Sequence, residues 1–534
     1  MKSGALAWFA GLVLAAHSAW AQAVAVPATV TAAVPAQTQR VGLPDGWWRG
    51  AFMEIYVRGY QDSDGDGVGD LRGVIQRLDD LQALGVSGIW LMPVTASQDQ
   101  DHGYAVSDYR AIEPDYGSLA DFDELIRQAH ARGIGVIMDY VLNHSAAEHP
   151  IFEASRASAS GPYRDWYVWR DSVPEGWTIY GKNPWHEDEH GAYFAGFWDQ
   201  MPDWNLRNPD VLRFHLDNLR FWLNRGVDGF RFDAVGNLVE NGPLAWEGQS
   251  ESHQIMKTVA DLVRSYPSTF MICEAPGDVM GFAKEDACGH AFAFGHNQRV
   301  VSAALGNPSV LEQVAQYFVD RPKGLSAFAS NHDAFAGQRL WDRTRGREDK
   351  YRLAAATYLL QNDQPPFIYY GEEIGMAGGK GLGGDHKLRT PMSWSSQRPA
   401  AGFSSVEPFR ALSANFETQN WLAQRQDPTS LWSFYRDVLA LRRDNSALWQ
   451  GVYELPVVEG WMMAFQRRSA DQTVLAVFNY RAQAESLTLN DLPSGGRLKA
   501  LWPKDGRDVR VTVEGSAQFQ LPATSFQVFE LERP

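Results

Sequence analysis

From about residue 50 to residue 447, apolar runs of strand length alternate with amphipathic stretches of helix length, and this rhythm restricts the fold more than any single motif. Strands are predicted at 53–57, 86–92, 135–140, 227–232, 270–273, 290–294, 325–329 and 367–370, with 290–294 carrying the weakest signal. Helices are predicted between them at 71–84, 119–132, 209–225, 252–265, 309–319 and 348–361. Parallel neighbours need a crossover of a dozen or more residues, which a helix supplies. Eight such units read as a closed (β/α)8 barrel, an α/β fold of TIM type.

The rhythm breaks after the third strand. Residues 144–200 lack clear periodicity and are dense in aromatics, among them Trp166, Tyr167, Trp169, Trp177, Trp185, Tyr193 and Trp198. A structureless loop of that length is improbable, so an inserted domain is expected there. The barrel would then occupy 47–143 and 201–447, with a second excursion over 374–428. Beyond 447 the pattern becomes short alternating runs such as Val474–Phe478 and Phe526–Leu531, which predicts an all-β sandwich over 448–534.

The N-terminus reads as a secretory signal over 1–23: Lys2, an apolar run over 4–16, and small residues near Ala21 and Ala23. An uncleaved anchor is the alternative, although the run is short for a bilayer. Residues 24–46 read as a leader. Export to the periplasm or beyond follows as an expectation, and in an oxidising compartment Cys273 and Cys288 could pair; a small buried thiol beside Glu274 explains Cys273 equally well. The formal net charge of −16 argues against a nucleic-acid partner, which needs a basic face, and against an anionic membrane surface. Twenty Trp and 19 Tyr supply flat faces with polar tips, suited to sugar rings.

Three acids stand at the C-terminal ends of predicted strands: Asp233 in Gly-Phe-Arg-Phe-Asp, Glu274 after Phe-Met-Ile-Cys, and Asp333 in Ser-Asn-His-Asp. An isolated Asp at a strand end is more often a helix cap. Three in register match glycosidic chemistry, in which an ionised nucleophile and a protonated acid flank one bond, roughly 5–5.5 Å apart for retention. Arg231 lies two residues before Asp233 on the same strand face, so its charge should hold Asp233 ionised and oriented. Glu274 follows an apolar run compatible with a raised pKa, as a general acid requires.

These motifs, in this order, resemble the α-amylase superfamily, glycoside hydrolase family 13. The resemblance rests on Asp139-Tyr-Val-Leu-Asn143-His144, Gly229 to Val235, Ile272-Cys-Glu274, Ser330-Asn-His-Asp333 and Gln200-Met-Pro-Asp203-Trp-Asn205. It extends to Gly88–Pro93 and Gly371–Gly375, and covers roughly residues 47–450. It implies Asp233 as nucleophile, Glu274 as acid then base, and Asp333 as the acid that favours the oxocarbenium-like transition state. It also implies that Tyr104 stacks on the sugar, that His144 and His332 bond its hydroxyls, and that Asp139 is a structural partner of Arg231. Asn143 would either bind calcium or hold its loop. Two positions depart from the pattern: Ala105 follows Tyr104 where the family often has Asp, and Ala234-Val235-Gly236-Asn237 lacks the Lys-His pair of many α-amylases.

Asp62-Ser-Asp64-Gly-Asp66-Gly-Val68-Gly-Asp70 spaces hard oxygen ligands as an EF-hand loop does, although its twelfth position is Gly73 instead of Glu. Asp62, Asp64, Asp66, Asp70 and the Val68 carbonyl are therefore candidate Ca²⁺ ligands, in a structural role. No Gly-rich nucleotide loop is present. The leading expectation is an exported α-1,4-glucan hydrolase of α-amylase type acting on starch or maltodextrin. The alternative is an exo-acting α-glucosidase or a glucosyl-transferring enzyme, to which the segment Asp385–Trp394, with Arg389-Thr-Pro-Met, points. A non-catalytic carbohydrate-binding or partner protein is disfavoured because all three acids are present. Oligomeric state is not legible.

Overall fold

The computed structural model describes residues 25–39, 42–319 and 321–532. The expected signal over 1–23 lies outside the described residues. Eight parallel strands form one sheet: β1 (Ala51–Ile55), β2 (Val86–Leu91), β3 (Gly135–Val141), β4 (Gly229–Asp233), β5 (Phe270–Cys273), β6 (Ala291–Phe292), β7 (Leu325–Ser326) and β8 (Phe367–Tyr369). Strand β1 pairs with both β2 and β8, and a parallel bridge from Phe328 to Phe367 closes the barrel between β7 and β8. The expected barrel is present, and its sixth strand, weakest in the sequence, is only two residues long. The helix predicted over 71–84 is two segments, Leu71–Gln76 and Leu78–Leu84, meeting at Arg77.

Strand alternation builds the barrel in layers. Phe230 and Phe232 face the helices, whereas Phe52, Ile137, Phe270, Ile272, Phe292, Phe328 and Phe367 fill the interior with Trp47 beneath them. Gly229 is needed for the close approach of β4 to β5, because a Cβ there would lie 1.6 Å from the Phe270 carbonyl oxygen. Above the aromatic layer stand Glu54, Trp90, Asp139 and Arg231, all buried. The apolar plug below thus forces the polar residues of the strands toward one mouth.

The aromatic-rich stretch after β3 holds helix Pro150–Arg156 and a three-stranded sheet of Trp169–Arg170, Gly191–Phe194 and Trp185–Asp188. Ile179, Trp185, Ala192 and Phe194 form its own small core. After Gln450 comes a six-stranded sheet and a separate pair, Glu485–Leu489 with Ala517–Leu521, all antiparallel. In strand Met462–Arg468, Met462 and Ala464 face the core between these two sheets, while Met463 and Phe465 join the barrel's cluster. Residues 25–39, read from sequence as an unstructured leader, hold no helix or strand but lie along helix Pro209–Asn224; Val34 N–H donates to Asp217 at 3.1 Å and Gln37 N–H to Asn224 at 3.0 Å. Cys273 and Cys288 form a disulfide between the end of β5 and the segment before β6. Among the described residues no helix is long and apolar enough to cross a membrane.

Candidate active site

The three acids converge at the C-terminal mouth of the barrel, around one guanidinium. Arg231 Nη1 donates to Asp233 Oδ1 at 2.7 Å and to both oxygens of Asp139 at 2.9 and 3.0 Å. Its Nη2 lies 2.9 Å from Glu274 Oε2. The Ala234 N–H also donates to Glu274 Oε2, at 3.1 Å, from a residue held at φ 47°, ψ 37°. Trp90 Nε1–H and the Tyr104 hydroxyl donate to Asp139 Oδ2 at 3.2 and 2.9 Å. Asp139 is thus satisfied inside the network and oriented away from any reacting group.

Asp333 sits in a second cluster. Its Oδ2 lies 3.1 Å from His332 Nε2 and its Oδ1 accepts from Arg389 Nη2 at 2.8 Å. On its other nitrogen, His332 Nδ1 is 2.5 Å from Glu54 Oε1. Tyr104 links the clusters, with its hydroxyl 2.8 Å from His332 Nε2 and its ring stacked on the imidazole at 5.6 Å. Five carboxylates (Glu54, Asp139, Asp233, Glu274 and Asp333) therefore face three cationic groups, Arg231, Arg389 and His332.

That imbalance sets the protonation states. Burial lifts Glu274 to about 7, with Arg231 pulling it back and the charges of Asp233 and Asp333 adding to the rise. Burial likewise raises Asp233, to about 6, because Arg231 is shared with Asp139 and offsets only part of the desolvation. The expectation that Arg231 simply holds Asp233 ionised is therefore corrected: the guanidinium orients Asp233 but does not hold its pKa below the usual range. For Asp333 burial also opposes ionisation, yet His332 and Arg389 outweigh it and keep the carboxyl well below the usual range. Burial disfavours the His332 imidazolium, but Asp333 and Glu54 lift it to about 10. His144 has no such partner, and burial lowers it to about 3.

A cavity of about 720 Å³ opens onto these groups, lined by Tyr104, His144, Asp233, Glu274, Asp333 and Arg389 and rimmed by Tyr180, Phe197, Trp198, Trp246 and Phe335. The buried Nε2 of His144 has no hydrogen-bond partner among the described residues. On one side the loop after β2 is fastened to the excursion after β8. Asp101 Oδ1 accepts from Tyr56 at 2.5 Å and from Arg410 at 2.7 Å, and His386 lies 3.4 Å from Asp101. Arg389 donates to the His332 carbonyl at 3.1 Å, and Asp385 accepts from Ala334 N–H at 2.8 Å.

The structure thus brings Asp233, Glu274, Asp333, Tyr104, His144, Arg231 and His332 to one site. Sequence reasoning missed Glu54, whose signal was a lone acid within the apolar run Phe-Met-Glu-Ile-Tyr. It also missed the ion pairs of Arg389 and the clamp on Asp101. In the acidic loop, carboxylate oxygens of Asp62, Asp64 and Asp70 lie within 4.8 Å of one another. Asp66 stands outside this group and accepts from Val68 N–H at 2.8 Å. Asp62 accepts from Gly65 N–H at 2.7 Å and Ser404 Oγ at 2.6 Å, and Asp70 caps helix Leu71–Gln76 through Gly73 N–H. Burial and the neighbouring charges of Asp66, Asp70 and Asp62 raise Asp64. Such crowding of acceptor-only oxygens fits a hard divalent cation. Asn143 Nδ2 donates to Asp203 Oδ2 at 3.0 Å, and the buried Oδ1 of each has no hydrogen-bond partner among the described residues.

Comparison with known proteins agrees with this geometry. Residues 54–451 match the family model "Alpha amylase, catalytic domain". The chain is 31% identical over 463 residues to Alpha-amylase 3 of Dictyoglomus thermophilum, covering 84% of this chain and 88% of that protein. It is 32% identical over 523 residues to a probable alpha-glucosidase of Rhizobium meliloti, covering 86% and 93%. Among solved structures, an alpha-glucosyl transfer enzyme, XgtA, superposes with a TM-score of 0.79 at 28% identity, covering 91% of this chain and 99% of that one. With the family model spanning most of the chain and the three acids gathered at the barrel mouth, the protein belongs to the α-amylase family and is a glycoside hydrolase.

Proposed function

We propose that this protein is an exported, retaining α-glucoside hydrolase that removes glucose from the ends of short α-1,4-glucans. Of the two readings left open by sequence, internal cleavage and chain-end cleavage, one observation favours the second. The clamp of Asp101 by Arg410, Tyr56 and His386 joins two loops across one side of the cavity, beside His102 and Arg389. A polymer threading past Asp233 and Glu274 needs that side open. The cavity volume of about 720 Å³ also lies within the range of about 300–1,000 Å³ typical of small-ligand sites.

In this reading Asp233 attacks the anomeric carbon while Glu274 gives its proton to the departing glycosidic oxygen, breaking that bond and leaving a glucosyl ester. Water then attacks the same anomeric carbon, Glu274 takes its proton, and the bond from that carbon to Asp233 breaks, releasing the carboxylate. Asp333, held ionised by Arg389 and His332, places negative charge where the sugar gains positive character. His144, neutral and unpartnered at Nε2, is suited to a sugar hydroxyl. The same intermediate can pass to a sugar in place of water, so glucosyl transfer is the second reading, supported by the likeness to the glucosyl transfer enzyme.

Calcium belongs to this proposal as a structural ion held by Asp62, Asp64 and Asp70, where it would neutralise crowded carboxylates that do not line the cavity. The apolar N-terminal run and the disulfide support export. Timed digests of maltose, maltotriose and soluble starch test the assignment. Early glucose from maltose with starch viscosity unchanged is the expected result, whereas rapid thinning of starch with mixed oligosaccharides would overturn it.

A further inference from the structure

The general acid marks the side of the cavity on which the leaving group must lie, and the groups around Glu274 on that side carry an unbalanced charge. Glu247, Trp246 and Asn237 reach it from the excursion after β4, joined by Pro276 and Gly277 from the loop after β5. Trp246 anchors the excursion, because its ring packs against the inserted domain's small core and meets Tyr180 edge-on at 5.8 Å. Asn241, at the other end of the loop, bonds Gln249 at 2.9 Å.

The Glu247 carboxylate is thereby set over Gly277. An added Cβ on Gly277 would lie 2.1 Å from Glu247 Oε1, and one on Gly236 would lie 3.7 Å from Glu247 Cγ. Gly277 has no left-handed backbone angle, so glycine at this position is explained by the room it leaves for the carboxylate. Among the described residues no Lys, Arg or His lies within salt-bridge reach of Glu247. Of the three cationic groups of the site, Arg389 and His332 stand beside Asp333 on the clamped side, and Arg231 is already shared by Asp139, Asp233 and Glu274.

We infer that Glu247 makes the leaving-group side of the pocket selective by charge, favouring leaving sugars or acceptors that carry an amine and rejecting those that carry a phosphate. This inference rests on the proposed chain-end hydrolysis and adds to it the class of aglycone. A unit charge in the pocket beside Glu247, in the intermediate dielectric of a protein surface, changes binding by about tenfold or more. Hydroxyl-only sugars, which Glu247 can accept from but need not, are affected less.

The test compares kcat/KM for maltose, for maltose with an amino group at C-2 of its reducing unit, and for maltose with a phosphate at C-6 of that unit. The expected order is amine, then maltose, then phosphate. Glu247→Gln should shrink the amine-to-phosphate ratio by about a hundredfold, about tenfold from each charge. Equal Tm values for wild type and E247Q control for folding. If maltose is cut but the charge order is absent, or survives unchanged in E247Q, the assignment of Glu247 is overturned while chain-end hydrolysis stands. If wild type does not cut maltose at all, the chain-end reading fails and the inference falls with it.

Discussion

Glu54 lies 2.5 Å from His332, nitrogen to carboxylate oxygen, with both side chains about 1% exposed. His332 in turn bonds Asp333, so a residue on the first barrel strand governs the charge of a site acid more than 270 residues away. Glu54→Gln leaves His332 with Asp333 as its one carboxylate partner, and the imidazole pKa should fall from about 10 toward its ordinary value. Ring titration by NMR reads the shift, and kcat should drop about tenfold as Asp333 loses its fixed orientation. An unchanged titration would refute the linkage. In the wild type the raised pKa adds stability that is fully present below about 6.5 and lost as pH rises through about 10.

The acid and nucleophile titrate close together. Asp233 must be ionised and stands near 6, and Glu274 must be protonated and stands near 7. Activity should therefore fall below about 6, as Asp233 gains a proton, and above about 7, as Glu274 loses one. A narrow bell in kcat/KM, reporting apparent values of the coupled pair, is the expected profile. A plateau extending to pH 9 would contradict the role of Glu274.

Much of this was legible in the sequence because strand-end acids follow largely apolar runs. Phe270 to Cys273 announces Glu274, since a buried parallel strand tends to be apolar on both faces, and Gly-Phe-Arg-Phe announces Asp233, its single charge Arg231 lying on the same face as the acid. Glu54 was hidden for the converse reason. It sits mid-strand, where a charged residue normally faces solvent, and only closure of the barrel turns it inward above Phe52. Arg389 and Asp101 could be noted but not paired, because their excursions lack periodicity and their meeting depends on tertiary contacts. The C-terminal sandwich was readable from alternation in Val474–Phe478, whereas β6, at two residues, barely left a trace.

The disulfide closes a short loop between residues 15 apart, immediately before Glu274. Its removal by a Cys273→Ala, Cys288→Ala double variant should cost about 2–4 kcal/mol of stability. Denaturant unfolding measures the loss. Activity at 25 °C should be nearly retained, because Glu274 is held by Arg231 and the Ala234 N–H, not by the sulfur bridge. Loss of turnover with no loss of stability would reverse that view.

The proposed calcium site at Asp62, Asp64 and Asp70 predicts a ligand-linked stability. Addition of calcium at about 100 times its Kd to chelator-treated protein should add roughly 2.7 kcal/mol. Calorimetry should show a raised Tm that Asp62→Ala abolishes, with kcat of the folded enzyme unchanged. A Tm indifferent to calcium would remove the ion from the account.

Asp233 and Glu274 are proposed to cleave an α-glucoside at a chain end with retention. Proton NMR of maltose hydrolysis in the first turnovers tests it most directly, since the anomer released is recorded before mutarotation. α-Glucose from the non-reducing unit is expected first. Release of β-glucose from that unit would show inversion and contradict the assignment of Asp233 as nucleophile.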